Sequence, residues 1–94
     1  MSTIEHRPEQ HRFVATLEGG GGEVTYRLNG DVMTILHTEV DPSLEGQGVA
    51  GRLVQAALDH ARANRLRVDP VCGYASKYMQ RHPEAEALRA PSAR

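Results

Sequence analysis

The 94-residue sequence is poor in several residue types on which common architectures depend. Cys72 is the only cysteine, which excludes an internal disulfide and a cysteine-rich zinc site. Tryptophan is absent, phenylalanine occurs once, and no dense Lys/Arg run is present, so we expect no nucleic-acid partner. The histidines and the cysteine show no H-x-x-x-H or C-x-x-C spacing, so we expect no metal site.

Long apolar runs are also missing. No stretch approaches the ~20 residues that cross a bilayer, and residues 1–10 lack the apolar core of a secretion signal. We therefore expect a cytoplasmic protein without a membrane partner.

The residues that are present are typical of one small globular domain, with 39% hydrophobic and 24% charged side chains. The net charge of −1 hides an asymmetry. Residues 1–51 carry three basic and eight acidic side chains, whereas residues 52–94 carry eight basic and four acidic ones. One end of the molecule is therefore suited to attract a small phosphorylated ligand.

Alternating apolar residues predict an antiparallel β-meander. Its three strands cover residues 11–18, 24–28 and 32–40. Four glycines, residues 19–22, are expected to form a mobile hairpin tip, and Asn29-Gly30 favours a tight turn. On the third strand, alternation places His37 and Glu39 on the face that carries Met33 and Ile35.

Helical periodicity begins after Pro42. We predict an amphipathic helix over residues 49–64, a parallel strand over residues 66–71 and a second helix over residues 74–81. The order predicts an α+β fold, three-layer-like in its packing, in which an antiparallel β-meander is followed by α-β-α.

The domain is expected to occupy residues 11–84. Residues 1–10 would then be an N-terminal extension, and residues 85–94 a frayed C-terminal tail.

Residues 46–51, GQGVAG, lie where the third strand gives way to the long helix. Small residues let backbone N–H groups approach an anion, and the first turn of a helix helps to hold it, so the segment predicts a pyrophosphate site. It also matches the G-x-G-x-x-G dinucleotide fingerprint. That fingerprint follows the first strand of a parallel sheet and needs further βα units, for which the remaining chain has no room.

The loop resembles the acetyl-coenzyme A loop of the GCN5-related N-acetyltransferase (GNAT) superfamily, whose form is Q/R-x-x-G-x-G/A. Residues 45–50 read EGQGVA and match its last three positions. The segments HTEVD before the loop and PVCGY after it are similar to a small branch, the YjdJ-like acetyltransferases. The resemblance covers about residues 11–84 and implies a minimal acyl-CoA N-acyltransferase fold that binds acetyl-CoA.

In that layout the pantetheine arm lies along the third strand and the diphosphate contacts the loop. The implied cofactor-binding residues are Val40, Glu45, Gly46, Gln47, Gly48, Val49, Ala50, Gly51 and Arg52. Glu45 departs from the Gln or Arg that the superfamily usually has, and a carboxylate near a diphosphate weakens binding unless it points outward. For Arg52, the alternative is a merely solvated side chain.

Three residues are candidates for catalysis, since acetyl transfer needs a route for the amine proton and a proton for the departing thiolate. His37, beside Glu39, is the candidate base; the alternative is a core histidine bonded to the backbone. Cys72, expected at the amino end of the last helix, could carry the acetyl group or pack inertly. Tyr78 is the candidate acid, because superfamily members often use a tyrosine of this helix, whereas Tyr74 is assigned to packing.

We therefore expect an acetyl-CoA-dependent N-acetyltransferase. The resemblance implies that the superfamily's N-terminal strand and helices are missing, so the amine acceptor could be large, such as a protein. The alternative is an acyl-CoA-binding or sensing module, or a protein-interaction module, without turnover.

Overall fold

One sheet of five strands, arranged in the order of the sequence, forms the frame of the molecule. The computed structural model describes residues 3–91. The elements are β1 (Thr3–Arg7), β2 (Arg12–Leu17), β3 (Gly20–Asn29), β4 (Val32–Val40), α1 (Val49–Ala63), β5 (Arg67–Pro70), α2 (Gly73–Gln80) and α3 (Pro83–Glu86), with 3-10 turns at Pro8–Gln10 and Pro42–Leu44. Strands β1 to β4 pair antiparallel, and β5 pairs parallel to β4. The expected α+β class is confirmed.

The core lies between one face of this sheet and α1. Phe13 of β2 faces Val24 of β3 across the ladder, and both are buried. The buried residues of α1 are Val49, Leu53, Val54, Ala57, Leu58 and Ala61. Helix α2 packs beside α1, where the Tyr78 hydroxyl donates a hydrogen bond to Gln55. Helices α1 and α2 therefore lie next to each other against the sheet.

The expected N-terminal extension contains a strand. Residues Thr3–Arg7 form β1, which pairs with β2, and Ile4 packs against the core. Strand β1 has no alternation of apolar residues, because most of its five residues are polar, and the sequence therefore does not predict it. The strand also corrects the implied absence of an N-terminal strand.

The expected C-terminal tail is held against β5. The Val68 amide donates to the Leu88 carbonyl, and the Ala90 amide donates to the Val68 carbonyl, at 2.9 and 2.7 Å. The Arg89 guanidinium donates to the Glu86 carboxylate. Residues 85–90 are therefore not frayed. The domain limits themselves stay a prediction.

The four glycines are not a mobile hairpin tip. Gly20–Gly22 belong to β3, and only Glu18 and Gly19 form the turn. A Cβ on Gly21 would lie 2.6 Å from the Ala15 carbonyl oxygen, so close strand packing requires a glycine there.

Two further findings concern only residues 3–91. No helix in this range has the length and apolar character needed to cross a membrane. The same range contains no group of three or more His, Cys, Asp or Glu side chains that could hold a metal ion.

An aromatic cluster holds β1 against the molecule. The His6 ring stacks on Phe13 with 4.1 Å between centroids, and its Nε2 lies 2.6 Å from the Tyr26 hydroxyl oxygen. His60 of α1 meets the His6 ring edge-on at 4.4 Å. Burial first, and the charge of His60 second, lower the pKa of His6 from its ordinary value of 6.5, against an opposing effect of Glu9.

Protonation of His6 should therefore destabilise the fold. Since the folded-state pKa is lowered, the unfolded chain binds the proton more readily, and stability is lost as pH falls below 6.5 through the folded-state value. We expect the free energy of unfolding in urea to decrease from about pH 7.5 to about pH 5.5. His6→Gln, which can still bond Tyr26 but does not titrate, should lose less, whereas the exposed control His37→Gln should behave like the wild type. Equal pH slopes for His6→Gln and the wild type would contradict this.

Candidate functional site

The parallel strands β4 and β5 separate halfway along β4. Their last paired residues are Ile35 and Pro70. The next two amides along the chain, those of Val71 and Cys72, both donate to the Ile35 carbonyl oxygen at 3.0 Å, so β5 turns away at this point. Strand β4 continues to Val40. Within residues 3–91, no strand pairs with that side of β4 beyond Ile35, so a gap opens there.

A β-bulge lies at the same point. Thr25 is opposite His37, but the next residue, Tyr26, is opposite Ile35, so Leu36 is the extra residue. An extra residue reverses the faces of all the side chains that follow it. The helix-covered face of β4 therefore holds Ile35 before the bulge and Thr38 after it.

The bulge corrects the expected environment of His37 and Glu39. Both side chains point away from the face of Met33 and Ile35 and are 61% and 70% exposed. His37 Nε2 lies 3.7 Å from Glu39 Oε1, so the two groups do lie together, as alternation predicted. This exposure excludes the core-histidine alternative, and the role of His37 as a base stays a prediction.

The gap exposes main-chain groups of β4. The Asp41 amide donates to the Gly21 carbonyl of β3 at 3.0 Å. Because antiparallel ladders alternate, Glu39 also directs its main-chain groups towards β3, whereas Thr38 and Val40 direct theirs into the gap. This side of β4 can accept an extended ligand as an added strand.

A cleft of about 310 Å³ lies beside the end of β4. Its lining residues are Val40, Leu44, Glu45, Gly46, Gly48, Val49, Ala50 and Tyr74. Six of the nine predicted cofactor residues are among them. Of the other three, Gln47 and Arg52 are exposed, and Gly51 is half-buried in the first turn of α1.

The loop places an uncapped helix end at this cleft. Gly46 and Gly48 adopt φ angles of +85° and +75°, a left-handed region that glycine enters without strain. Gly48 is the N-cap of α1, and within residues 3–91 no side chain caps the helix. The Arg52 amide bonds back to the Gly48 carbonyl, so the amides of the preceding turn have no intrahelical acceptor. Together with the helix dipole, these amides favour an anion.

Cys72 lies at the amino end of α2, as predicted. The side chain is half-buried, and its Sγ donates a hydrogen bond to Thr38 Oγ1 at 3.4 Å. The thiol therefore lies at the gap on the helix-covered side, whereas His37 lies on the open side of the sheet. The structure does not bring these two candidates together on one face.

Tyr78 is held by helix α1. Its hydroxyl donates to Gln55 Oε1 at 2.5 Å, and its ring stacks on His82. Burial, followed by the neighbouring Tyr74, raises the pKa of the Tyr78 hydroxyl. Its role as the acid stays a prediction, and it does not line the cleft.

Sequence reasoning missed two residues at the site, Thr38 and Tyr74. Thr38 belongs to the segment HTEVD, and the resemblance of that segment to the acetyltransferase branch is the signal that could have identified it as a site residue. Tyr74 and Tyr78 are four residues apart and share a helix face, so spacing did not distinguish them.

A second cleft, of about 490 Å³, lies on the open side of the sheet and also borders Val40. Its remaining lining residues are Val14, Gly21, Gly22, Glu23, Glu39, Asp41 and Pro42. Three acidic residues therefore border this space, of which Glu23 is paired with Arg12 at 3.0 Å and the Asp41 carboxylate accepts a hydrogen bond from the Gly21 amide.

In this protein a free strand edge lies beside an uncapped helix end. Proteins of this class can hold an extended, anionic ligand, with the anionic group at the helix end and the rest along the strand. The family model for the GCN5-related N-acetyl-transferase matches residues 12–88. The chain belongs to this family, which confirms the superfamily, while the YjdJ-like branch stays a prediction.

Solved structures agree with this assignment. A GCN5-like protein from Staphylococcus aureus, solved by NMR, has a TM-score of 0.75 and 26% identity, covering 96% of this chain and 89% of its own. A Mycobacterium tuberculosis protein crystallised with CoA has a TM-score of 0.64 and 26% identity, covering 79% of this chain and 48% of its own. An acetyltransferase from Trypanosoma brucei, at 17% identity and a TM-score of 0.54, covers 94% of this chain and 69% of its own and shares the fold.

Close packing around Gly22 keeps Val40 at the border of both clefts. A Cβ on Gly22 would lie 2.8 Å from the Glu39 carbonyl oxygen and 3.0 Å from Val40 Cγ2. We expect Gly22→Ala to reduce the free energy of unfolding in urea by about 1–3 kcal/mol through overpacking. Gly73→Ala, whose added Cβ meets nothing within 4 Å, is the matched control and should cost nothing. Equal stability of the two variants would contradict the packing argument.

Proposed function

We propose that this protein binds acetyl-CoA and transfers its acetyl group to an amine acceptor. Family membership and the CoA-bound structural neighbour support a CoA-dependent acetyltransferase. The observation that carries the finer proposal is the gap between β4 and β5, which directs main-chain groups of β4 towards a ligand beside the uncapped end of α1.

The ligand would be held mostly by main-chain groups. The first-turn amides of α1 would bind the diphosphate, and Thr38 and Val40 would pair with the amides of the pantetheine arm. The thioester would then lie towards Thr38, which is hydrogen-bonded to the Cys72 thiol. This path accounts for the predicted contact at Val40.

Two routes of transfer are compatible with these positions. In the first, the amine attacks the thioester carbonyl, the C–N bond forms as the C–S bond breaks, and His37 takes the amine proton while Tyr78 protonates the thiolate. In the second, the Cys72 sulfur attacks the thioester carbonyl, and its S–C bond forms as the C–S bond to CoA breaks, with the proton of the Cys72 thiol passing to the departing CoA thiolate. The amine then attacks the acetyl-Cys72 thioester, the C–N bond forms as the bond to Cys72 breaks, and the amine proton returns to the Cys72 sulfur. The exposed carboxylate of Glu39, at the open-side cleft, favours a cationic amine.

The alternative is a module that binds acyl-CoA without turnover. One observation favours it: Cys72 and His37 lie on different faces of the sheet, and the Tyr78 hydroxyl is engaged by Gln55.

A negative charge introduced at position 48 tests the proposed diphosphate site. An added Cβ there meets nothing within 4 Å, and both Asp and Asn tolerate its left-handed backbone. Gly48→Asp should weaken CoA binding at least about tenfold relative to the size-matched Gly48→Asn, because only Asp adds negative charge beside the diphosphate. Isothermal titration calorimetry measures both. Equal dissociation constants would refute the loop assignment.

Acetylation of Cys72 tests for chemistry. After incubation with labelled acetyl-CoA, we expect mass spectrometry to find acetyl on Cys72, released by hydroxylamine as a thioester should be, or on an added amine. Cys72→Ala should lose the first signal, and Gly48→Asp, which should bind more weakly, should give less of either signal than Gly48→Asn at the same subsaturating concentration of acetyl-CoA. Saturable binding with no acetyl on any group, unaltered by Cys72→Ala, would favour the binding module.

A further inference from the structure

We propose that the Tyr74 hydroxyl donates a hydrogen bond to the diphosphate, completing the anion site that the first turn of α1 begins. This inference rests on the proposed function, since it requires CoA in the cleft. It departs from the sequence analysis, which assigned Tyr74 to packing and selected Tyr78.

Tyr74 is the residue of α2 that lines the cleft. The other lining residues belong to β4, to the loop before α1 and to α1 itself. Its hydroxyl oxygen lies 3.3 Å from the position that a Cβ on Gly51 would take. Because Gly51 is in the first turn of α1, the hydroxyl and the uncapped amides border the same space.

The hydroxyl of Tyr74 is available to a ligand. The side chain is 45% exposed, and within residues 3–91 its hydroxyl makes no hydrogen bond. Tyr78, one turn later, has already used its hydroxyl on Gln55. Two tyrosines on one helix face thus differ in a way that the sequence does not reveal: one is engaged within the protein, and the other faces the cleft.

The closeness of the Tyr74 hydroxyl explains why a glycine is suited to position 51. The resemblance requires glycine or alanine at position 50 and leaves position 51 open, yet this chain has a second small residue there. A side chain on Gly51 would press on the Tyr74 hydroxyl at 3.3 Å and also approach Tyr78 at 3.6 Å. Glycine at this position therefore lets α2 bring a hydroxyl donor to the end of α1.

Calorimetric titration of Tyr74→Phe with CoA and with desulfo-CoA tests the inference. Removing one hydrogen bond to a charged group should weaken CoA binding about tenfold, or about 1.4 kcal/mol. The loss should be the same for desulfo-CoA, because the diphosphate is unchanged and only the sulfur is missing. Tyr26→Phe, which removes a buried hydroxyl bonded to His6 away from the cleft, is the matched control and should leave both affinities unchanged.

The outcomes separate the two proposals. If the wild-type protein fails to bind CoA, the proposed function fails. If the wild type binds and Tyr74→Phe binds equally well, the Tyr74 inference alone is overturned. It is also overturned if the loss seen with CoA vanishes with desulfo-CoA, since the hydroxyl would then contact the sulfur.

Discussion

The end of the β4–β5 ladder at Ile35 is the constraint on which the site depends. The carbonyl of Ile35 takes both amides that follow Pro70, those of Val71 and Cys72, so β5 leaves the sheet while β3 carries β4 onward. An unpaired strand edge attracts added strands and is normally blunted. Here it lies beside the first turn of α1, so a free pairing edge adjoins amides that no side chain caps within residues 3–91.

The bulge at Leu36 places the candidate groups of β4 on two different faces of the sheet. Without it, His37 and Glu39 would lie under the helices, and burying two ionisable groups there would be costly. With it, they reach water, and Thr38 moves to the helix side, where it meets Cys72. Transfer through Cys72 and direct transfer assisted by His37 therefore belong to opposite sides of one strand.

Much of the fold could be predicted from periodicity, and the failures have physical causes. The helices over residues 49–64 and 74–81 agree with α1 and α2 to within one residue, because each has a buried stripe and a clear end. Strand β1 is short and largely polar. The bulge has no local signature, since alternation continues through Leu36 and only the register with β3 reveals it. Likewise, the different surroundings of Tyr74 and Tyr78 depend on their neighbours on α1, Gly51 and Gln55, which the sequence does not pair with them.

Charge shows how the two clefts can serve one reaction under the proposed function. Three of the eight acidic residues in positions 1–51 border the open-side cleft, and the exposed carboxylate of Glu39 would suit a cationic amine. Glu45 is the only acidic residue among the lining residues of the cleft at α1, which also borders the uncapped amides of the helix. Glu45 is exposed, and water and salt screen its repulsion of a diphosphate. Under the proposed function, a cationic acceptor would therefore approach from the open face, whereas the diphosphate of the donor would lie in the cleft at α1, and Val40 borders both spaces.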